Sequence, residues 1–305
     1  MRCGQTPGFA RGYRTACTTH GAVLPLRETL FLFSYCPFLL SLEEMLNSSA
    51  RPFILLSNDD GYQAPGINFL IDVLRPVADL LVVAPNGARS GFGCGITATQ
   101  PIQCRLVHEE EGLDIYSCTG SPVDCVKLTF NVLLDNYGRK PDLVVSGMNH
   151  GDNSSVNTFY SGTMGAANEG VIQGVPGIGF SYCHFSYDVD MSACAPYIVE
   201  IVQQVLRDGL PPFSALNVNF PALSEFEGVK VCRMAHSRWV NEMAVNYKPR
   251  TGTPYYWLTG EPYELEPEAE DTDRWALAHG YVAITPQTLD VTHYPLLQKL
   301  QSKEW

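Results

Sequence analysis

The stretch "FILLSNDDGYQAPGINFLIDVLRPVADLLVVAP", residues 53–85, decides the fold class. Residues 53–57 are a continuous apolar run of strand length, followed at once by Asn58-Asp59-Asp60-Gly61. Residues 66–78 carry apolar side chains near i, i+3, i+4 and i+7, the period of a helix, and 79–85 form a second buried strand stopped by Pro85. Strand, loop, helix and strand in quick succession make a βαβ unit, which requires a parallel sheet and a right-handed crossover. The two adjacent carboxylates remain unexplained by that unit, because a buried strand end gives each acid a desolvation cost and no partner. Either they close an ordinary turn or they hold something positive.

The alternation continues outward from this unit. Residues 114–120 read as a strand and 122–134 as a helix with Pro122 in its first turn. Residues 141–147 form another buried strand, 161–174 a small-residue helix ended by Gly174, and 177–182 a strand. Residues 192–209 are a strongly periodic helix, capped by Ser192 and closed by Gly209. Strands follow at 214–221 and 228–235. After about residue 236 alternating aromatic residues, acidic stretches and prolines suggest β-hairpin material projecting from an α/β core, with 280–286 returning as a strand.

Composition narrows the function classes. The 305 residues are 45% hydrophobic and 17% charged, as expected of a folded globular chain. Net charge is −12, from 20 Lys+Arg against 32 Asp+Glu, which argues against a nucleic-acid polymer or an anionic membrane as partner. None of the ten cysteines forms a CxxC, so zinc ribbons and thioredoxin-like motifs lack support, and the cysteines read as small buried hydrophobes in a reducing cytoplasm. Residues 1–50 have little amphipathic order; the apolar patch at 30–42 is shorter than the roughly 18 residues of a membrane span and lacks a signal-peptide cleavage site. They read as an appended, poorly ordered tail, with translation expected to start at Met45.

Parallel sheets place ligand sites in the loops at the carboxyl ends of their strands. Here those loops are Asn58–Gly61, Asn86–Gly91, Thr119–Asp124 and Ser146–Ser154, all rich in Gly, Asx and Ser. One such loop is routine turn chemistry; four on one rim describe a site. Oxygen donors without Cys or paired His favour Mg²⁺, Mn²⁺ or Ca²⁺. Asp59 and Asp60 would supply charge, Ser90 and Asn149 neutral oxygens, and Gly61 the tight turn that lets both acids face the cleft. Ser161, Gly162 and Thr163 stand at a helix start, where free amides and the dipole favour an anion, although a cap alone would also account for them. A hard ion with open water positions suits phosphate-ester hydrolysis.

Other motifs fail. No G-x-x-x-x-G-K-[ST] is present, Gly91–Gly95 lacks the GxGxxG spacing, and residues 179–183 are a broken GxSxG. His150 either assists a leaving group or lines the cleft; the remaining histidines have no paired spacing. Arg89 contacts a phosphate or, the reading preferred here, anchors its loop to an acid such as Asp124.

"ILLSNDDGYQAPGI", "VVAPNGARSG", "TGSPVDCV", "PDLVVSGMNHGDN" and "YSGTMGAANEG", in that order, resemble the SurE family, the stationary-phase survival proteins that act as 5′/3′-nucleotidases. "LNVNFP" and "GYVAITPQTLDVTHY" also look like the family's distal segments, so the resemblance spans about residues 51–300. It implies a Rossmann-like three-layer core (about 51–235), then a protruding hairpin and a C-terminal segment exchanged between subunits of a homodimer or homotetramer (about 236–305). It implies one divalent ion per subunit, Mg²⁺ or Mn²⁺, at Asp59, Asp60, Ser90 and Asn149, and phosphate contacts at Asn153, Ser161, Gly162 and Thr163. The implied substrates are nucleoside 3′- and 5′-monophosphates, with short polyphosphate in some members. His150, Asp152 and residues 153–159 depart from the usual loop, which leaves base and sugar preference open.

The expected mechanism is metal-dependent phosphomonoester hydrolysis by an activated water, with Asp59 and Asp60 at its centre. A haloacid-dehalogenase-type attack by Asp59 is the rival, weakened because such enzymes space their acids as D-x-D. A non-enzymatic nucleotide- or metal-binding regulator using the same cleft is the alternative of another class.

Overall fold

The computed structural model describes residues 51–303; the tail expected at 1–50 and its Met45 start lie outside the described residues. Nine strands form one sheet, ordered β3-β4-β2-β1-β5-β6-β7-β13-β8. β1 (Phe53–Ser57) runs parallel to β2 (Asp79–Pro85) on one side and to β5 (Leu143–His150) on the other. From β1 the chain winds outward through β2 and β4 (Leu113–Cys118), then returns to β5 and winds the other way through β6 (Gly177–Tyr182) and β7 (Ser214–Phe220). The switch point therefore lies between β1 and β5, where the loops at the strands' carboxyl ends diverge and leave a crevice.

Period-2 alternation gives each inner strand of the sheet two apolar faces. Ile54 and Leu56 face α1 (Pro65–Leu74) and α4 (Ala195–Asp208), while Phe53 and Leu55 pack toward α2 (Pro122–Asn131) and α3 (Gly162–Ile172). The result is the expected three-layer α/β sandwich with a mostly parallel sheet. In α4 the buried residues are Ile198, Ile201, Val202 and Val205, the i, i+3, i+4, i+7 stripe; each such side chain stabilises the docked helix by about 1.5–3 kcal/mol.

Helix boundaries depart from expectation where proline sets them. α1 stops at Leu74 rather than 78: Arg75 keeps helical backbone, but Pro76 has no N–H with which to continue the hydrogen-bond ladder. α4 starts at Ala195, and Ser192 sits in a preceding 3₁₀ turn instead of capping the helix. Pro196 has no N–H and fits only in a helix's first turn, which fixes the start three residues after Ser192. Gly209 closes the helix as expected, at φ +69°. β3 (Cys104–Glu110) is an addition: it pairs antiparallel with β4 at the sheet edge, and its exposed face carries no apolar alternation by which to recognise it.

Beyond the core, β8 (Gly228–Val231) and β13 (Tyr281–Thr288) extend the sheet, β13 antiparallel to β7. Between them, β9 (Ser237–Val240) pairs with β12 (Glu261–Glu264), and β10 (Met243–Tyr247) with β11 (Pro254–Leu258), both antiparallel. Together they make one long two-tier hairpin, as its aromatic alternation suggested. α5 (Asp273–Ala278) follows it; in the terminal α6 (Tyr294–Gln301) no residue is fully buried.

Candidate active site

The acid loop is shaped by its neighbours in sequence. Asn58 donates to the Gly61 carbonyl at 2.9 Å and accepts from the Gly61 amide at 3.1 Å, closing residues 58–61 into a tight turn. Gly61 has φ +105°, and a Cβ there would lie 3.2 Å from the Gly87 Cα, so the turn and the contact with the next loop both require glycine. The Arg89 amide donates to the Asp59 carbonyl at 2.6 Å, which brings the Ser90 loop against the acid loop. Arg89 is an anchor, but to the Thr119 carbonyl (3.1 Å) rather than to Asp124. Asp124 is already engaged: it completes a capping box with Ser121 and accepts from the Thr97 amide.

Asp59 is 4% exposed. Its Oδ1 accepts from the Thr163 hydroxyl at 2.6 Å, and a Cβ at Gly162 would lie 2.7 Å from the Asp59 Cβ. Helix α3 thus presses its first turn onto the acid, with the Gly162 amide directed at the carboxylate. Burial nevertheless dominates and pushes the Asp59 carboxyl up to about 6; Thr163 opposes the rise and the Asp60 charge adds to it. Asp60 accepts from the Tyr187 hydroxyl at 3.2 Å and lies 3.4 Å from His150 Nδ1. Among the described residues that histidine is the sole ion-pair partner of either acid. His150 Nε2 is buried without a partner, and the ring stands edge-on to Tyr187.

The other expected residues converge on the same crevice. Asn149 spends its Nδ2 on the Gly151 carbonyl at 2.8 Å, which leaves its Oδ1 as the available atom. Ser161 caps α3, accepting from the Met164 amide at 3.0 Å. Asn153 is buried and gripped on every side: Asn219 takes its amide, Asn217 its carbonyl, and its own Nδ2 donates to Ser181 at 2.8 Å. A cavity of about 540 Å³ is lined by Asp59, Ser90, Asn149, His150, Asn153 and Ser161 on the sheet side. Its outer wall is Tyr160, Phe185, Trp239, Glu242 and Leu258. Among the described residues no lysine or arginine lines it. Thr163 and Gly162 contact Asp59 beneath the cavity instead of lining it.

The donor set fits a hard divalent ion. Two buried carboxylates lie side by side with no lysine or arginine paired to them among the described residues, beside an exposed hydroxyl and an amide oxygen oriented by its own hydrogen bond. Asp152, by contrast, is spoken for by Arg274 at 3.4 Å and by Ser154 and Asn157. Among the described residues no three His, Cys, Asp or Glu side chains cluster as a metal site. An ion here would be held by two acids and neutral oxygens.

The sequence missed the outer wall. Tyr187 and Phe185 follow β6, and the rule that directed attention to the loops after β1, β2, β4 and β5 applies equally there. Trp239, Glu242 and Leu258 reach the crevice from a hairpin far along the chain, and no local motif marks them.

Fold and cleft together define a doubly wound α/β protein with an oxygen-lined crevice at its switch point, built around a buried acid pair. A model of the family described as "Survival protein SurE" matches residues 54–241, and the chain belongs to that family. It is 50% identical over 255 residues to the "5′-nucleotidase SurE" of Phocaeicola vulgatus, covering 84% of this chain and 97% of that one. The protein of the same description from Porphyromonas gingivalis is 41% identical over 250 residues, covering 81% and 95%. The crystal structure of the SurE protein from Aquifex aeolicus superposes with a TM-score of 0.69 at 38% identity, covering 82% of this chain and 98% of that one.

Proposed function

We propose that this chain is a metal-dependent nucleotidase, a phosphoric monoester hydrolase acting on nucleoside 5′-monophosphates and, at the same site, on 3′-monophosphates and short polyphosphate. One observation carries the metal dependence: the carboxyl groups of Asp59 and Asp60 are buried side by side with His150 as their one ion-pair partner among the described residues, and Asp59 lines a cavity to which no described lysine or arginine contributes. A phosphate dianion cannot enter a crevice whose nearest charges are carboxylates unless a cation lies between them. The names of the relatives supply the substrate class.

Asp59, Asp60, Ser90 and Asn149 would hold one Mg²⁺ or Mn²⁺. Such an ion, when bound, neutralises phosphoryl oxygens and makes water a competent nucleophile at neutral pH. Thr163 and the Gly162 amide hold the Asp59 carboxylate in one orientation, and Tyr187 and His150 do the same for Asp60. Ser161 and Asn153 present the polar edge for the phosphate. Tyr160, Phe185 and Trp239 give the nucleoside an apolar wall, suited to stacking. The same reading includes a homodimer or homotetramer, supported by exposed Tyr247, Tyr256, Trp257 and Leu258 on the hairpin and by the unburied α6.

Phosphate release from a panel of nucleoside 5′- and 3′-monophosphates, with Mn²⁺, with Mg²⁺ and with chelator, tests the proposal. Release that requires the ion is expected. Tight nucleotide binding without release under any ion would leave a regulator in place of an enzyme, and undiminished release in chelator would remove the metal.

A further inference from the structure

In the β3–β4 hairpin Cys104 stands directly opposite Cys118. The Thr119 amide donates to the Gln103 carbonyl at 2.9 Å, so residues 103 and 119 are a hydrogen-bonded pair. The next pair inward, 104 and 118, is therefore a non-hydrogen-bonded one, in which Cα atoms approach to about 4.5 Å and side chains stand closest. That separation falls within the roughly 4.4–6.8 Å that a disulfide spans. The register shift in this hairpin lies between Leu106 and His108, away from the pair.

The two thiols have unequal access. Cys118 is fully buried and Cys104 is half-buried, at the start of an edge strand otherwise exposed. A third thiol, Cys125 in the first turns of α2, contacts Cys118 from the core side. Hydrogen bonds from the Cys104 and Cys125 thiols hold the Cys118 thiol well below its usual value, while the same contact and burial raise Cys104. The buried sulfur is thus the better nucleophile and the outer one the more reachable.

We propose that Cys104 and Cys118 are a thiol–disulfide pair closed by a peroxide, a latch that ties the edge strand β3 to the end of β4. In the first step the Cys104 sulfur attacks the peroxide O–O bond, becomes a sulfenic acid and releases one water. In the second, the Cys118 sulfur attacks the Cys104 sulfur, the S–S bond forms and the hydroxyl departs as a second water. Two thiols lose two protons and two electrons, and hydrogen peroxide takes both. The latch lies where the Ser90 loop hangs: the Asn86 amide donates to the Cys118 carbonyl at 2.7 Å, and Arg89 to the Thr119 carbonyl.

The test treats the reduced full chain with hydrogen peroxide and maps cysteine linkages by non-reducing digestion and mass spectrometry. A Cys104–Cys118 linked peptide is expected, lighter by two hydrogens. The melting temperature should rise by roughly 5 °C as the enclosed hairpin loses unfolded-state freedom, and should return on adding dithiothreitol. Cys104→Ser, altered only at the outer position, should show neither the link nor the shift; Cys125→Ala should keep both. Cys104 advancing to sulfinic acid without a link would overturn the pair, as would a Cys118–Cys125 link or oxidation confined to other cysteines. A Cys104–Cys118 link with an unchanged or lowered melting temperature would overturn the latch.

Discussion

Asp59 and Asp273 are both buried aspartates beside the first turn of a helix, and the molecule treats them in opposite ways. Asp273 is wholly buried and accepts from three backbone amides: Ser155 at 2.8 Å, Ala235 at 2.9 Å and Arg274 at 2.8 Å. Burial raises its carboxyl above the ordinary value, and those three amides and the Arg274 charge pull against the rise. Asp59 receives one hydroxyl and the Gly162 amide, and it faces a second buried carboxylate with no lysine or arginine paired to it among the described residues. One acid is a structural tie between the hairpin base and the loop at Ser155; the other is held against a second carboxylate, an arrangement that the proposed cation would complete. Burial alone does not mark a functional carboxylate. Burial with the compensation left out does.

The comparison breaks most visibly at its functional end. Asp59→Asn should lower metal-dependent phosphate release by roughly 1000-fold, since it removes half the charge that holds the ion. Its metal-free melting temperature should equal or exceed that of the natural protein, because a neutral amide relieves the buried repulsion. Addition of Mn²⁺ should raise the melting temperature of the natural protein and not of the variant. A variant that melts lower without metal would place Asp59 with Asp273 as a structural acid.

Asp273→Ala should do the reverse. Three amides, two of them buried, lose their acceptor, and at about 1–3 kcal/mol for each buried unsatisfied group the loss is at least ~2 kcal/mol. Urea unfolding measures it directly, with the midpoint moving at constant slope. Added metal should stabilise what folded protein remains as much as it stabilises the natural chain.

Much of this contrast was legible in the sequence, and the division has physical causes. The acid loop follows an apolar run in the chain's first βαβ unit, so the period of the flanking elements places it on the sheet rim. Ser90, Asn149 and Ser161 lie after other elements of the same periodicity, and one topological rule gathers them. The cue that Asp273 is structural does not exist locally: its partners Ser155 and Ala235 are distant in sequence, and a buried Asp at a helix start reads as a cap. Trp239 and Glu242 were invisible as cleft residues for the same reason, since a hairpin's alternation tells which residues share a face but not what the face covers. Edge strand β3 escaped because its exposed residues carry no burial pattern. Arg89 was rightly an anchor and wrongly assigned, because a backbone carbonyl such as that of Thr119 has no sequence signature.

Ser90 sharpens the functional side with a smaller effect. It is exposed and neutral, so Ser90→Ala removes one oxygen donor and no charge. The metal concentration for half-maximal activity should rise about 10-fold, with turnover at saturating metal little changed. Stability should stay within about 0.5 kcal/mol of the natural protein. An equal loss of turnover at saturating metal would mean that Ser90 touches the reacting group and does not act through the ion.

Asp124 supplies the smallest effect and the cleanest sign. It too is buried, and burial raises its carboxyl, but the hydrogen bonds from Thr97 and Ser121 outweigh that and set it below the ordinary value of 3.8. The unfolded chain therefore takes up this proton more readily than the folded one. Stability from Asp124 is fully present above the ordinary carboxyl value and is lost as pH falls through the lowered one. Asp124→Asn should cost about 1 kcal/mol near neutral pH, the usual scale of a cap. As pH falls below about 4 the gap to the natural protein should close, because protonation then does to Asp124 what the substitution has done already. Urea midpoints of both proteins across that range measure the gap. Were it to stay constant, the hydrogen bonds would be equally good to a neutral side chain, and the ordering of Asp59, Asp273 and Asp124 by how fully each charge is compensated would lose its third member.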